Sequence, residues 1–325
     1  MVLAMLVHVL ALHGAFDLGL SALLDTIGTA NDLAASLTPR TAAIKVTVAG
    51  VRRRVDTARG FRVPLIATSV LPQPDAVLLP ALGEKTPATL SERLTQRDVT
   101  DAGGVLREWS QSGAWIGAAC TGTFVLADST LLDGHDATTS WWLAPLFRQR
   151  YANIELDETR VLVNSGPFVT AGAALAHIDL ALGLIRRRSP SLAALTANYL
   201  LNEPRYSQAG FIVSDQLAHN DPMIERFEIW ARLHLAKGFS LSEAARSAGT
   251  SERTLARRLR SVLGKSPLSY FQDLRVERAV HRLRTSNASV DRIASEIGYS
   301  DGVTLRTLLR RKLGRGIREI RSRRG

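Results

Sequence analysis

Cysteine is almost absent: Cys120 alone stands in 325 residues, which excludes an intramolecular disulfide framework and fits a reducing, cytoplasmic setting. No stretch reaches the roughly 18 uninterrupted apolar residues of a membrane helix. The apolar residues 1–12 lack a basic leader, so they read as a buried first strand, and neither a signal peptide nor a membrane partner is expected. Negative charge falls short of positive in one region only. Residues 221–325 hold 23 Lys and Arg against 11 Asp and Glu, a net +12, whereas residues 1–220 hold 18 against 19. The positive excess therefore sits in the C-terminal third, where it suits either the neutralisation of phosphates or a plain solvated surface, and motifs must decide between them.

With 46% hydrophobic and 22% charged residues the chain can bury real cores, and its length suggests two domains. Short β-rich runs at 6–12, 45–49, 75–79, 115–119 and 160–163 read as strands. Several are apolar throughout, as in a parallel sheet covered on both faces. Helical runs at 17–24, 90–110, 121–132 and 173–188 alternate with them, which predicts a doubly wound, flavodoxin-like α/β domain over 1–205. Beyond Arg188 the pattern is wholly helical. Residues 206–220 read as a linker, and Asp221-Pro222 as an N-cap followed by proline at the first helical position, opening an all-α domain over 221–325.

That basic domain contains an internal repeat. Ala245, Gly249, Ser251 and Glu252 fall on Ala294, Gly298, Ser300 and Asp301 at an offset of 49; Leu255, Leu259, Leu263 and Gly264 fall on Leu305, Leu309, Leu313 and Gly314 at 50. Each copy reads as a short helix (241–248, 290–297), a glycine suited to a left-handed turn, a Ser-acidic start, and a second helix. Leucines every four residues face the core of that second helix. Arg253, Arg257, Arg258 and Arg260 in the first copy, and Arg306, Arg310, Arg311 and Lys312 in the second, face outward to reach bases and phosphates. Between the copies Pro267 opens a helix whose Phe271, Leu274 and Leu283 can pack on both units and fix their separation. Two such helices suit major grooves about 10 base pairs apart on double-stranded DNA. The competing reading is an all-helical interaction bundle with arginines on its surface.

The run from Ser251 to Leu259, then Leu263-Gly264-Lys265-Ser266-Pro267, then Ile293-Ala294 through Gly298-Tyr299-Ser300-Asp301, resembles the AraC/XylS family of transcription regulators. The resemblance covers 222–320 and implies base reading by Arg253, Ala256 and Arg257, with Thr254, Arg258 and Arg260 on the same helix. Val303, Thr304, Arg306, Thr307 and Arg310 are the expected contacts of the second helix. Leu305, Leu309 and Leu313 replace the family's phenylalanines there, and Gly314-Arg315-Gly316-Ile317 departs from its closing motif.

Upstream, residues 115–122 form an apolar strand that ends at Cys120 and enters a helix through Thr121-Gly122. This is the tight turn that exposes a nucleophile above a sheet, with a helix N-terminus to favour the thiolate. The alternative is a buried small hydrophobe. Residues 119–127, 131–134, 137–142, 168–172 and 178–182 resemble the class I glutamine amidotransferase-like (PfpI-type) superfamily, and in particular the GlxA-type regulators that fuse such a domain to an AraC-type one. The order of the two parts is more diagnostic than either.

A base and oxyanion donors are needed for catalysis. Thr121 and Ser140 stand where relatives carry histidines, and Pro80-Ala81-Leu82-Gly83 replaces a Pro-Gly-Gly loop. His135 and His177 are candidate bases by residue type alone. Asp17 is placed by the resemblance beside the thiol. The pocket is accordingly read as a non-enzymatic sensor of a small nitrogen-containing metabolite, lined by Asp17, Cys120, Thr121, Thr139, Ser140 and Thr170. A dimerisation module, a cysteine-dependent amidase or hydrolase tethered to DNA, and a Cys120 redox sensor are the alternatives. Expected partners are a DNA operator, a small-molecule effector, RNA polymerase and a second copy of the chain; no metal or cofactor is expected.

Overall fold

The computed structural model describes residues 4–35, 37, 43–203, 205, 207–208, 221–313 and 316–322. Its chain contacts divide into two compact units, residues 1–209 and 210–325. Of the expected linker, 206–220, only Ser207 and Gln208 fall within the described residues.

Strands of the first unit are β1 (Met5–Leu10), β2 (Ile44–Gly50), β3 (Arg54–Asp56), β4 (Arg62–Pro64), β5 (Ile66–Ala67), β6 (Ala76–Leu79), β7 (Trp115–Ala119), β8 (Asp136–Ala137), β9 (Glu155–Leu156), β10 (Leu162–Ser165) and β11 (Phe168–Ala171). Its helices are α1 (Asp17–Ala34), α2 (Pro87–Leu94), α3 (Arg97–Gln111), α4 (Gly122–Asp128), α5 (Ala144–Arg150), α6 (Ala176–Arg188) and α7 (Pro190–Tyr199). Seven strands form one sheet in the order β10-β11-β7-β6-β1-β2-β5. All neighbours run parallel except β10 and β11, which form an antiparallel hairpin. The doubly wound parallel sheet read from the sequence is present, with β10 as an antiparallel edge: the strand read at 160–163 begins at Leu162 and turns back at Gly166 (φ +61°) into β11.

The double-sided burial read from the apolar strands has a simple register. Val7 and Val9 of β1, Leu78 of β6 and Trp115 of β7 face a core shared with α1, α6 and α7. Leu10, Val77, Leu79 and Ile116 face the opposite core, built on α2, α3, α4 and α5. One long helix over 90–110 is replaced by α2 and α3. In a continuous helix, residues five apart lie roughly 140° around the axis from one another. The break at Thr95-Gln96 lets Arg93 bond Asp98 at 2.6 and 2.8 Å and the His13 carbonyl at 2.7 Å. The helix read over 121–132 stops at Asp128, where Thr130 takes φ +65°.

A buried histidine locks α1 to α6. His177 is fully buried; its Nδ1–H donates to the Ala174 carbonyl (2.6 Å), and its Nε2 accepts from the Ala81 amide (3.0 Å). A Cβ on Gly19 would lie 2.5 Å from that Nε2, so α1 requires glycine there. Protonation would set a second N–H against the Ala81 N–H. Burial accordingly depresses the imidazole pKa from 6.5 to about 4.

The second unit is helical: Pro222–Leu233, Leu241–Ser247, Glu252–Leu263, Pro267–Thr285, Val290–Glu296, Gly302–Leu313 and Ile317–Ser322. Phe227, Trp230, Phe239, Tyr270 and Phe271 form an aromatic core beneath the first repeat copy. Val276, Ala279, Leu283, Ile293, Leu305, Leu309 and Ile320 form a second core beneath the other. The 267–285 helix spans both, as its apolar pattern predicted.

A depressed histidine pKa contributes stability that is present above the unfolded value and lost as pH falls through the folded one. Unfolding of the first unit should therefore ease between pH 6.5 and about 4, by up to about 3 kcal/mol from this group. Comparison of melting curves for wild type and His177→Gln across that range checks this: the difference between them should narrow as the pH falls, and a constant difference would refute it.

Candidate nucleic-acid interface and the Cys120 turn

Each short helix of the repeat is capped by a serine, Ser240 accepting from the Glu243 amide and Ser289 from the Arg292 amide. The glycine turns follow as read, Gly249 at φ +70° and Gly298 at φ +83°. Next, Ser251 caps the 252–263 helix by accepting from the Thr254 amide (3.2 Å), whereas the 302–313 helix is capped by Asp301 accepting from the Thr304 amide (2.7 Å). The structural counterpart of Ser251 is therefore Asp301, not Ser300. The extra residue that changes the offset from 49 to 50 lies between Gly298 and Asp301 and leaves both helix phases intact.

In the first recognition helix Leu255, Leu259 and Leu263 are buried, Arg253, Arg257 and Arg260 are exposed, and Thr254 and Ala256 are half-buried. Arg258 differs from the expectation that it faces DNA freely, since its Nε is bound to the Asp221 carboxylate. Asp221 also accepts from the Met223 and Ile224 amides, capping the helix that opens the unit. Burial opposes its ionisation, but Arg258 and those amides outweigh burial and hold the carboxyl below the usual range. In the second helix Leu305 and Leu309 are buried and Leu313 packs half-buried against the same core, while Val303, Thr304, Arg306, Thr307, Arg310 and Arg311 are exposed. Val303, 64% exposed, places an apolar side chain in the first turn of that helix. Lys312 is not free: with Lys265 it clamps Asp273, both at 2.8 Å. Gly314 and Arg315 lie outside the described residues.

Sequence reasoning missed two arginines that also repeat at an offset of 49. Arg226 donates to the Ala248 carbonyl (2.9 Å) just before Gly249. Arg275 donates to the Leu235 carbonyl (2.9 Å) and lies over Phe271 and Tyr299. A Cβ on Gly298 would approach that carbonyl to 2.5 Å, so the turn needs glycine for space as well as for its φ. Arg275 thus pins the second turn to the end of the 222–233 helix that opens the same unit.

In the other unit Cys120 follows β7 at φ +55°, the strained conformation expected of an exposed nucleophile. The thiol is nevertheless buried, and α4 has only seven residues. Burial raises the Cys120 pKa from 9.0 to about 11, against the weaker opposing influence of Ser140 and Thr121 beside it. The expected stabilisation of a thiolate by the helix N-terminus is therefore overturned. The structure assembles Cys120, Thr121, Thr139, Ser140 and Thr170, all buried, and their hydroxyls are largely spent within the fold. Thr121 donates to Leu82 O (2.8 Å), Thr139 donates to Cys120 O (2.6 Å), and Thr170 accepts from the Thr138 amide (2.8 Å). Ser140 Oγ is buried with no partner. Asp17 departs from its expected contact with the thiol: its carboxylate is bound by the Thr57 hydroxyl and the Arg59 amide.

Neither candidate base is placed to take the thiol proton. The Nε2 lone pair of His177 is occupied by Ala81, in the very loop that would supply an oxyanion donor. His135 bonds Ser165 and packs on Phe168, which pairs with Ile116 near the start of β7, away from the Cys120 end. Gln208 is a further residue that the sequence did not reveal. It donates to the Thr139 and Glu158 carbonyls (3.1 and 2.9 Å), accepts from the Ala173 amide (3.0 Å), and occupies the space that a Cβ on Gly172 would need.

Residues 6–187 match the DJ-1/PfpI family, and residues 244–323 match a helix-turn-helix domain. The HTH-type transcriptional regulator GbdR of Pseudomonas aeruginosa is 26% identical over 198 residues, 60% of this chain and 54% of the relative. The regulator GlxA of Rhizobium meliloti is 27% identical over 208 residues, 62% of this chain and 64% of the relative. The chain thus spans between half and two-thirds of the length of these two relatives. Among solved structures, Drosophila melanogaster DJ-1beta is similar in fold at a TM-score of 0.50 and 20% identity, over 62% of this chain and all of that one. An AraC family transcriptional regulator from Pseudomonas putida matches at a TM-score of 0.50 and 18% identity, over 60% of this chain and 99% of that one. With a family match over more than half its length, this chain belongs to the DJ-1/PfpI family, and it joins that domain to a helix-turn-helix domain.

Proposed function

We propose that the chain is a sequence-specific DNA-binding transcription regulator whose DJ-1/PfpI-type unit senses a small metabolite and pairs with a second copy of itself. The observation that carries the DNA-binding reading is the duplicated turn. Two recognition helices, each held by a cap, a glycine and an arginine from the helix that precedes its repeat copy, present Arg253, Arg257 and Arg260, and Arg306, Arg310 and Arg311, to solvent with no acidic partner among the described residues. Bases are read by Arg253, Thr254, Ala256 and Arg257 in this account, with Val303, Thr304, Arg306 and Thr307 as the second contact set. Arg260 and Arg310 hold phosphates. The names of the relatives, all HTH-type regulators, support the same reading.

Cysteine hydrolysis is the less favoured reading for the first unit. A thiol with a pKa near 11 and no adjacent base is protonated at neutral pH. A ligand bound more tightly by one arrangement of a dimer than by another would shift operator affinity without any chemistry.

Three outcomes follow. Arg257→Ala should weaken binding to the selected operator by about 1 to 3 kcal/mol while random DNA binds nearly as before; an unchanged preference in fluorescence anisotropy would remove Arg257 from base reading. Arg258→Ala should instead lower the melting temperature of the second unit, because it leaves the Asp221 carboxylate buried and unpaired; an unaltered melt with lost operator preference would reverse the two roles. The Cys120 thiol should alkylate slowly with iodoacetamide at pH 7, its rate rising about tenfold per pH unit towards 11; rapid, pH-independent labelling would signal an activated thiolate.

A further inference from the structure

The strand order changes direction between β1 and β6: after β1 the chain crosses to β2 on one side, and after β6 it crosses to β7 on the other. In open α/β sheets this switch point opens a crevice at the carboxyl ends of the strands. The crevice here is a cleft of about 600 Å³, formed by the loops that follow β1 and β6, the β3 strand and the α2–α3 break. This volume suits a small metabolite.

The polar groups of the cleft are organised. Its floor is the Arg93–Asp98 pair, whose side chains are 9% and 12% exposed. Arg93 donates to the His13 carbonyl and Asp98 accepts from the His13 amide (3.3 Å), so the β1 loop is held from both sides. Beside that floor Glu84 presents a carboxylate whose Oε2 is buried with no hydrogen-bond partner. Burial raises its pKa, a cost that a cation seated against it would relieve. On the rim, Arg54 and Arg97 are exposed and carry no ion pair among the described residues. Arg93 and His13 favour the ionised Glu84 without outweighing burial, leaving Oε2 without a donor, and Arg54 and Arg97, which share the rim with Glu92, are bound to no carboxylate among the described residues. By contrast, around Cys120 the hydroxyls of Thr121, Thr139 and Thr170 are committed to backbone partners, Ser140 alone being unpartnered, and Gln208 fills the space beside Gly172.

We propose that this switch-point cleft, rather than the Cys120 pocket, is the effector site, and that it takes a small zwitterion, with a protonated amine on Glu84 and a carboxylate on Arg54 and Arg97. The proposal rests on the sensing role given above to the first unit and names its ligand class and residues. A dicarboxylate would leave Glu84 facing like charge. A polyamine would leave the arginines unmatched.

The test is a thermal-shift and calorimetric screen of the full-length chain with the free L-amino acids, each paired with its N-acetyl and C-amide forms. At least one free amino acid should stabilise the protein, and masking either end should cost about tenfold or more in affinity, the loss of one charge-assisted contact. Glu84→Gln and, independently, the exposed substitution Arg54→Gln should each weaken it by a similar factor. Stabilisation that survives both substitutions, or that needs only one charged end, overturns the cleft. Loss of binding in Cys120→Ser but not in Glu84→Gln also overturns it while leaving the sensing role intact. Failure of every free amino acid to bind wild type overturns the zwitterion site, and sensing is then decided separately by whether operator affinity responds to a metabolite extract.

Discussion

One buried carboxylate ties the 252–263 helix to the helix that opens the second unit. Asp221, only 5% exposed, caps the 222–233 helix through two amides and binds Arg258 on the first recognition helix. An aspartate buried to this degree is stable only when its oxygens are satisfied, and here the satisfying cation comes from the element whose position matters most. Arg226 and Arg275 then hold the two glycine turns, and Asp273 gathers Lys265 and Lys312. The arginines left over are the ones without structural duties. Division of labour among like-charged side chains makes the surface basic while keeping the helices rigid.

In the first unit the backbone turn at Cys120 is strained, and the groups around it are committed elsewhere: the thiol is desolvated, His177 is bound to Ala81 with its pKa depressed, and Asp17 serves the loop at Thr57 and Arg59. Charge is concentrated one strand away, at the β1/β6 crevice.

Legibility in the sequence followed the range of the interaction. Strand and helix identities in the first unit were readable because apolar periodicity is local, and the caps and glycine turns were readable because they are set by one or two residues. The antiparallel direction of β10 was not, since a short apolar run does not record its direction. Nor was the α2–α3 break, which contains neither proline nor glycine and exists for a tertiary contact to His13. Arg258 and Lys312 looked identical to their free neighbours, because helical spacing distinguishes inward from outward but not paired from unpaired. Gln208 and Glu84 carried no motif at all; their roles arise from long-range packing against Thr139 and the β1 loop.

Selection of bound duplexes from a randomised pool by the full-length chain decides whether both helices read DNA. Two recognition helices pinned on one monomer should enrich a bipartite motif whose halves lie about 10 base pairs apart, and the Arg253→Ala, Arg257→Ala double variant should lose one half of it. Recovery of no motif, or of a motif unaffected by that variant, would contradict the account.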